Sequence, residues 1–569
     1  MRRIISVCAI TAAALVSSPV TFADDDAEYS RRRAIKNVIF MVPDGCDASV
    51  QTLARWMKGE TLQLDSMNNG MVRTEMANSV ITGSAAASTA FATGEKTTAR
   101  FLGIAPRTED MLSTYIPPVD KEPYEPMASV LEGAKQKGKA TGLISTSRVT
   151  HATPAGFAAH IHDRGMDNEI MEHMVYQDID VVFGGGKRHL LPKSEGGKRT
   201  DGENLVNVLV DRGYQFVETK DQLEDLEEGK AWGMFASSHM KPDIDRAEFA
   251  PEEPSIAEMT AKAIELLSQD RDGFFLMVEG SQVDWAGHAN DPKYMFTDFI
   301  AFDDAVKVAV DFAKMDGQTV VIAFPDHNTG ALSIGNTATD KTYTSLTVED
   351  MMAPLMGMRV TGSGLATKIG DDWSPENIVA NIQEWWGISA TMDDANEILA
   401  HMEKGYYPSY AIGYVISKNH TVFGWTTHGH NAEDVQVWTY GINYPLGTID
   451  NTDLAKMAAM MMRFDLKDVD ADLFIEVSEA FSADEWELDT VTDPENPVLH
   501  IKDAVLPVSK DLVIQGDKTT EMEGIVVYAP MSEKVYIPKE AVRIINGDDD
   551  VEDCPWPWPW LCEYYARNK

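Results

Sequence analysis

Short, continuous runs of apolar residues alternate along the chain with longer segments in which apolar positions repeat with helical spacing. The continuous runs have the length of strands that are buried on both faces of a sheet. They are NVIFMV (37–42), ATGLIS (140–145), GFFLMV (273–278) and TVVIAF (319–324). The helical patterns lie at 126–136, 254–268 and 294–314. Because strands and helices alternate, the sequence predicts an α/β fold with a central, mostly parallel sheet flanked by helices.

Two later regions depart from this alternation. From about residue 333 to 425 the pattern is helical, most clearly at 375–386 and 392–403. Beyond residue 500, short strand-like runs follow one another, DLVIQ (511–515), GIVVYAP (524–530) and KVYIP (534–538). We therefore expect a main domain over 24–500 that carries an insertion at about 333–425, and a small β-rich extension over 501–569.

The first 23 residues have the pattern of a secretory signal. Arg2 and Arg3 give it a positive start, an apolar run follows, and TFA (21–23) places small residues at both cleavage positions. No later apolar run reaches the roughly 18 residues that span a bilayer. We expect an exported protein, periplasmic or secreted, with no membrane segment.

The chain is strongly acidic, with 90 Asp and Glu against 49 Lys and Arg and a formal net charge of −41. Such a surface repels nucleic acid and anionic membranes, so we expect neither as a partner. Salt screens the self-repulsion, which favours a halophilic or marine protein. An ordinary acidic exported protein is the alternative, and a stability maximum in salt-free buffer would support it.

Cysteine use agrees with export. Cys8 lies within the signal, Cys46 stands alone, and Cys554 and Cys562 flank the segment PWPWPWL (555–561). In an oxidising compartment the last two would close a small disulfide loop. We interpret Cys46 as a small buried apolar residue rather than a nucleophile.

Acidic and histidine side chains follow three of the four predicted strands directly. Ligands bind at the carboxyl ends of parallel strands, so we expect these side chains to converge. Asp and His suit Zn²⁺, whereas a carboxylate with a hydroxyl and several waters suits Mg²⁺. The residues are Asp44 after the first strand, Glu279, Asp284 and His288 after the third, and Asp326 and His327 after the fourth.

Six segments resemble, in the same order, the active-site motifs of the alkaline phosphatase family. The resemblance spans roughly 36–445, and six ordered motifs are far more specific than any one of them. It implies a three-layer sandwich fold and the hydrolysis of phosphate monoesters to an alcohol and inorganic phosphate. The segments are VPDG (42–45), TGSAAASTA (82–90), RVTHATPAG (148–156), VEGSQVDWAGH (278–288), PDHNTG (325–330) and GHNAEDV (429–435).

The resemblance implies that Ser84 is the nucleophile. In the family this serine begins a helix, where free N–H groups and the positive end of the helix dipole favour a phosphate group. Ser84 would attack the monoester to form a phosphoserine, which water activated by zinc would hydrolyse, with an alkaline pH optimum. Without the other motifs, Ser84 would be interpreted only as a helix N-cap.

The resemblance also implies two Zn²⁺ sites and one Mg²⁺ site. The two zinc ions would hold the leaving and the attacking oxygen of the phosphoryl transfer. For the last ligand, His430 is favoured over His428, because the EDV (433–435) that follows matches the family pattern only with His430. The first zinc site would comprise Asp284, His288 and His430, the second Asp44, Asp326 and His327, and the magnesium site Asp44, Thr153 and Glu279.

Four further positions bear on the site. Arg164 matches a family arginine that holds phosphate oxygens with two N–H groups. Gly83 stands where many members carry an aspartate that helps to orient this arginine, so another group would have to hold Arg164. His151 and Trp285 stand where some bacterial members carry aspartate and lysine. We expect both beside the metal ligands rather than among them.

Two other functions are the alternatives. A phosphodiesterase or nucleotide pyrophosphatase of the same superfamily shares the two-zinc core, but such relatives generally use threonine as the nucleophile and lack the magnesium site. An exported binding protein with an inactive metal site would have lost a ligand, and the motifs retain all of them. The insertion at 333–425 resembles a family crown that covers the site entrance and joins subunits, which implies a homodimer, although some relatives are monomers.

Overall fold

The computed structural model describes residues 35–107, 119–442 and 446–547. The predicted signal segment and the predicted pairing of Cys554 with Cys562 lie outside the described residues. Cys46 is fully buried, as predicted. Ten strands of the described chain form the main sheet, namely β1 Asn37–Pro43, β2 Asn68–Arg73, β3 Ala140–Arg148, β4 Val181–Gly185, β5 Gln215–Val217, β6 Ala231–Ala236, β7 Phe274–Gly280, β8 Thr319–Ala323, β9 Val435–Tyr440 and β10 Thr448–Asp450.

The main sheet is almost entirely parallel. Its strand order is β10-β2-β9-β8-β1-β7-β3-β4-β6-β5. Neighbours run parallel except at β9, which is antiparallel to both β8 and β2. The four predicted strands, β8, β1, β7 and β3, lie side by side at its centre and are buried along most of their length. The predicted α/β fold with a mostly parallel sheet is confirmed.

Helices cover the sheet and make up most of the insertion. The predicted helices are α3, α9 and α11, and α3 begins only at Val130 because Ser129 and Glu132 form a capping box. None of the described helices has the length and apolar character needed to cross a membrane. In chain order the described α-helices are α1 Ala48–Lys58, α2 Ser84–Thr93, α3 Val130–Gln136, α4 Ala152–Ala155, α5 Asp167–Tyr176, α6 Leu205–Asp211, α7 Lys220–Glu224, α8 Asp243–Phe249, α9 Ile256–Leu267, α10 Gln282–Ala289, α11 Pro292–Asp316, α12 Val348–Met356, α13 Gly362–Ile369, α14 Pro375–Trp386, α15 Met392–Glu403, α16 Pro408–His420, α17 Asn451–Met462, α18 Leu466–Leu473, α19 Val477–Ala480 and α20 Lys539–Asn546.

Aromatic rings join the central strand β1 to helix α2. Phe40 of β1 contacts Phe275 and Phe324 edge-on, with ring centroids 5.4 and 5.2 Å apart. Phe91 of α2 packs on Phe324 at 5.0 Å. All ten residues of α2 are buried, and its Ala, Ser and Thr side chains are small enough to fit beside α4 and α17. The small residues of this helix therefore hold its first residue close to the sheet.

The insertion between β8 and β9 is held firmly against the main domain. Its helices α14 and α15 have the bounds that the sequence predicted, 375–386 and 392–403. Helix α16 packs against α10, and a Cβ atom on Gly413 would lie only 2.3 Å from the carbonyl oxygen of Ala289. Only glycine allows this approach, so the insertion has a close contact beside α10.

The C-terminal part of the described chain is rich in short strands, as predicted, but the first of them begins at Ile475 rather than after residue 500. A five-stranded antiparallel sheet and a three-stranded antiparallel sheet enclose a small core of their own, in which Leu499, Ile501 and Leu506 are nearly or fully inaccessible. The five strands are Trp486–Asp489, Val498–Ile501, Ala504–Pro507, Leu512–Gln515 and Lys518–Glu521, and the three are Ile475–Glu476, Val527–Ala529 and Lys534–Ile537.

A buried ion pair fixes α3 to the loop that follows α4. His160 Nε2 lies 2.9 Å from Glu132 Oε1, and His160 Nδ1 lies 2.8 Å from the carbonyl oxygen of Gly103. Both partners accept, so both ring nitrogens donate and the imidazole is charged. Burial acts to lower the pKa of His160, but the charge and hydrogen bond of Glu132 raise it above its ordinary value. Burial acts to raise the pKa of Glu132, and His160 brings it below its ordinary value.

We expect His160→Gln to lower the free energy of unfolding by about 3 kcal/mol near pH 6, because it leaves the Glu132 charge without its partner. The raised pKa of His160 means that its contribution is complete below its unfolded pKa of about 6.5 and is lost as pH rises through the folded pKa. The lowered pKa of Glu132 means that its contribution is present above about pH 4.5 and is lost as pH falls through the folded pKa.

The difference in the free energy of unfolding between wild type and His160→Gln should therefore be smaller at about pH 9 than at about pH 6. Urea unfolding at the two pH values measures it. His500→Gln, at an exposed histidine, is the control and should have little effect. An equal difference at both pH values would show that the pair does not act through charge.

Candidate active site

The predicted metal ligands gather at the carboxyl ends of the four central strands. Gly45 permits this convergence: its φ is +73°, and a Cβ atom there would lie 2.7 Å from Asp284 Cα. His430 arrives from the far end of the insertion, where the segment His430–Asn431 pairs with Asn328–Thr329. The contributing residues are Asp44 after β1, Glu279 in β7, Asp284 and His288 in α10, Asp326 and His327 after β8, and Thr153 in α4 after β3.

Ser84 is the first residue of α2 and is only 2% exposed. Its Oγ lies 3.2 Å from His327 Nε2. The N-cap is Gly83, so no side chain at that position occupies the free N–H groups of the first turn. A hydroxyl and an uncapped helix start therefore lie together beside the carboxylates and imidazoles, an arrangement suited to an anionic group.

Asp44, Asp326 and His327 form the most buried cluster. His327 Nε2 lies 3.0 Å from Asp326 Oδ2 and 3.7 Å from Asp44 Oδ1. Asp326 Oδ1 accepts the backbone N–H groups of Gly45 and His327. Among the described residues, neither Asp44 oxygen nor Asp326 Oδ2 has a hydrogen-bond partner. Buried carboxylate oxygens without a donor indicate a place for a cation.

The second cluster is centred on Asp284, whose ligand atom lies within 4.8 Å of those of His430 and His327, and His288 joins it through Asp284. Asp284 Oδ2 lies 3.3 Å from His288 Nε2, and Asp284 Oδ1 lies 3.6 Å from His430 Nε2. His288 Nδ1 donates to the carbonyl oxygen of His428 at 2.5 Å, and His430 Nδ1 donates to that of Thr82 at 2.9 Å. These bonds place a proton on Nδ1 of each ring, so Nε2 is the atom that faces Asp284 and that would bind a metal in place of a proton. It is His430 whose Nε2 is near Asp284, while His428 supplies its carbonyl oxygen to orient His288.

A third cluster lies around Glu279. The ligand atoms of Asp44, His151 and Glu279 are all within 4.8 Å of one another. Ser145 donates its hydroxyl to Glu279 Oε2 at 2.9 Å. Glu279 Oε1, His151 Nδ1 and the Thr153 hydroxyl are buried and have no partner among the described residues. The predicted magnesium ligands Asp44, Thr153 and Glu279 therefore each have a buried oxygen without a hydrogen-bond partner among the described residues. His151 is predicted to lie beside these ligands, and one of its ring nitrogens is near enough to belong to the same cluster.

The pKa values of these carboxylates show how strongly they are crowded. Burial and the neighbouring charges of Asp326 and Asp284 raise the pKa of Asp44 well above its ordinary value. Burial raises the pKa of Glu279 to about 7. Burial acts to raise the pKa of Asp284 as well, but the charge of His288 holds it well below its ordinary value. Divalent cations would offset this repulsion, and the oxygen and imidazole donors fit Zn²⁺ and Mg²⁺.

Arg164 is held by His151. Arg164 Nη2 donates to His151 Nε2 at 2.8 Å. A guanidinium only donates, so Nε2 accepts and the imidazole is neutral. Burial, followed by the charge of Arg164, lowers the pKa of His151 well below its ordinary value, which agrees with this state. The space beside Gly83 is open, since a Cβ atom there would have no neighbour within 4 Å.

Sequence reasoning did not find the residues that orient the ligands. Thr329 donates its hydroxyl to Asp284 Oδ1 at 2.6 Å, and its place in the PDHNTG motif could have indicated it. Ser145 and His239 belong to none of the six motifs. The His239 ring packs against Trp285 at 4.4 Å, and the Trp285 ring also contacts His151 at 5.7 Å. Trp285 therefore lies beside the third cluster, in contact with two histidines.

Comparison with known proteins agrees with this arrangement. Residues 35–464 match the family model described as alkaline phosphatase. Alkaline phosphatase 3 of Bacillus subtilis (strain 168) is 34% identical over 453 residues, which cover 76% of this chain and 90% of that protein. The solved structure of a cold-active alkaline phosphatase from a psychrophilic Shewanella is 28% identical, with a TM-score of 0.63, and covers 75% of this chain and 99% of its own.

The alkaline phosphatase of Thermus thermophilus has a TM-score of 0.66 and 26% identity, and the match covers 76% of this chain and 93% of that one. The family model thus extends over most of the chain, including all the clusters described above. The chain belongs to the alkaline phosphatase family, metal-dependent enzymes that hydrolyse phosphate monoesters.

Proposed function

We propose that Ser84 is the nucleophile and that the reaction passes through a phosphoserine with an alkaline pH optimum. The observation that carries this proposal is the position of Ser84 Oγ, at an uncapped helix start and 3.2 Å from His327 Nε2. The hydroxyl attacks phosphorus, the bond to the alcohol oxygen breaks, and water then cleaves the phosphoserine to release phosphate. Alkaline pH favours the reaction because both the hydroxyl and the attacking water have to lose a proton.

We propose two Zn²⁺ and one Mg²⁺ as the cofactors. When bound, the metals would supply positive charge that favours the ionised hydroxyl, balances the phosphate oxygens and lowers the pKa of water. Support comes from the unpartnered oxygens of the three clusters and from the Nε2 atoms that the backbone carbonyls leave free. The zinc ligands would be Asp284, His288 and His430 at one site and Asp44, Asp326 and His327 at the other, and the magnesium ligands Asp44, Thr153 and Glu279.

We propose that Arg164 binds the phosphate oxygens. Arg164 donates from Nη2 to His151 Nε2. This hydrogen bond orients the guanidinium group and leaves its other N–H groups free to bind an anion. The N–H groups at the start of α2 add further donors. The substrate is thus bound by the site itself, within a protein whose overall charge would repel it.

We propose export to the periplasm or the medium and assembly as a homodimer through the insertion. Large apolar side chains remain exposed on the insertion, with Met356 exposed to 62% and Tyr343 to 70%. Surfaces of this kind favour contacts between proteins.

We expect Ser84→Ala to reduce turnover of a chromogenic phosphate monoester by roughly a thousandfold or more, because it removes the hydroxyl that would accept the phosphoryl group. Ser88→Ala, the same change one helical turn later in α2, is the matched control and should retain activity. Undiminished turnover by Ser84→Ala would refute the assignment. A wild-type enzyme that cleaves phosphate diesters faster than monoesters would favour a phosphodiesterase instead.

We expect chelation to abolish activity and to lower the thermal unfolding temperature, because it restores the repulsion among the buried carboxylates. Elemental analysis of the purified protein should give about two zinc ions and one magnesium ion per chain. Asp326→Asn should lose one zinc ion. A fully active protein after exhaustive chelation, with unchanged metal content in Asp326→Asn, would contradict the proposed sites.

We expect His151→Ala to raise KM and to weaken inhibition by inorganic phosphate about tenfold, because Arg164 loses the acceptor that orients it. His151→Gln keeps an acceptor at a similar place and should recover most of the loss. Metal content is measured alongside, since His151 also lies near the third cluster. Unchanged phosphate inhibition in His151→Ala, with metals retained, would show that this contact does not position Arg164.

A further inference from the structure

A series of aromatic rings extends outward from the metal ligand His288. The Tyr410 ring is stacked on His288, with an interplanar angle of 6° and centroids 6.3 Å apart. Tyr410 is also stacked on His428, at 8° and 5.9 Å. Tyr407 contacts Tyr410 edge-on at 5.5 Å, and Tyr406 contacts His428 at 5.1 Å. We call Tyr406, Tyr407, Tyr410 and His428 the aromatic face.

The aromatic face is held in place from two sides. His288 and His428 are joined reciprocally, since each ring donates its Nδ1 proton to the carbonyl oxygen of the other residue, at 2.5 and 2.7 Å. Tyr407 is the N-cap of α16, and the same helix is fixed against α10 through Gly413. The rings are therefore preorganised next to one of the three ligand clusters.

The outer rings are exposed although they are large and aromatic. Tyr407 is 70% exposed and Tyr406 is 39% exposed, whereas Tyr410 is half-buried between its neighbours. Rings that face solvent beside a ligand site offer a surface on which a flat group can stack. Neither ring has a catalytic part in the reaction derived above, so their place at the site remains to be explained.

We propose that the aromatic face binds the base of nucleoside 5′-monophosphates, and that these are preferred substrates. This inference rests on the proposed function, in which the zinc that Asp284, His288 and His430 would hold takes the leaving oxygen. The substrate's alcohol then leaves toward His288 and meets the aromatic face that begins there. The structure thereby assigns Tyr407 and Tyr406 to substrate selection.

The position of Tyr407 distinguishes a nucleotide from a simple aryl phosphate. Tyr410 contacts the metal ligand His288, and the exposed Tyr407 contacts Tyr410 in turn, so it is one ring removed from the ligands. In an aryl phosphate the aromatic ring is bonded directly to the phosphate oxygen and would lie close to the metal ligands. In a nucleotide the ribose separates the base from the phosphate, so the base extends further and would reach the exposed ring of Tyr407. Stacking tolerates any base, so purine and pyrimidine nucleotides are both accommodated.

The test compares adenosine 5′-monophosphate with ribose 5-phosphate, which has the same phosphate and sugar without the base. Wild type should show a higher kcat/KM for the nucleotide. Tyr407→Ala should lower kcat/KM for the nucleotide roughly tenfold, mainly through KM, and leave ribose 5-phosphate unaffected. Tyr407→Phe keeps the ring and should retain the preference. Met531→Ala removes a large exposed side chain from the C-terminal part of the chain, outside the insertion, and should change neither substrate.

A binding measurement separates recognition from turnover. In a Ser84→Ala background, calorimetry should show tighter binding of adenosine 5′-monophosphate than of ribose 5-phosphate, and Tyr407→Ala should remove the difference. Equal kcat/KM for the two substrates in wild type, or an equal loss for both in Tyr407→Ala, would overturn the inference while leaving the phosphatase intact. A preference for aryl phosphates that Tyr407→Ala does not change would also overturn it. A protein that hydrolyses none of these esters would refute the proposed function itself.

Discussion

The burial of several carboxylates close together, away from water, is the constraint on which the rest of the structure depends. Asp44, Glu279, Asp284 and Asp326 are buried where three neighbouring strands end. Burial and repulsion raise the pKa of Asp44, whereas the positive charge of His288 holds the pKa of Asp284 below its ordinary value. Such a group is tolerable only if cations or charged imidazoles lie among the carboxylates. The rigid central sheet and the close approach at Gly45 keep the carboxylates from moving apart. Because bound cations would offset the repulsion among these carboxylates, metal binding at this site would also stabilise the fold.

The centre of the fold was predictable from sequence because each of its four strands contains a mostly apolar run that is buried on both faces. The predicted segments at β1, β3, β7 and β8 agree with the structure to within a few residues. The strands β2 and β10 at one side of the sheet were not predicted. Both are only partly buried, so their sequences carry no continuous apolar run.

The site was predictable to the extent that its residues lie in motifs next to those strands. Contacts between distant segments were not predictable from the sequence. The bond from Ser145 to Glu279 joins residues 134 apart, and that from His430 to Thr82 joins residues 348 apart. Neither has a local pattern. The contact of His151 with Arg164 is of the same kind: sequence shows that Gly83 offers no carboxylate, and only the fold shows which group holds the arginine instead.

The reversed direction of β9 has a consequence for how this architecture can diversify. An antiparallel strand begins at the edge where its neighbours end, so the chain leaves the site after His327 and returns to it at His430. The two ends of the insertion are joined where Asn328–Thr329 pairs with His430–Asn431. The insertion is therefore a long connection with both ends fixed beside the active site. Lengthening or rewriting that connection costs little in closure entropy and disturbs no strand register. Evolution can therefore change which alcohols the enzyme accepts while the reacting groups stay where they are.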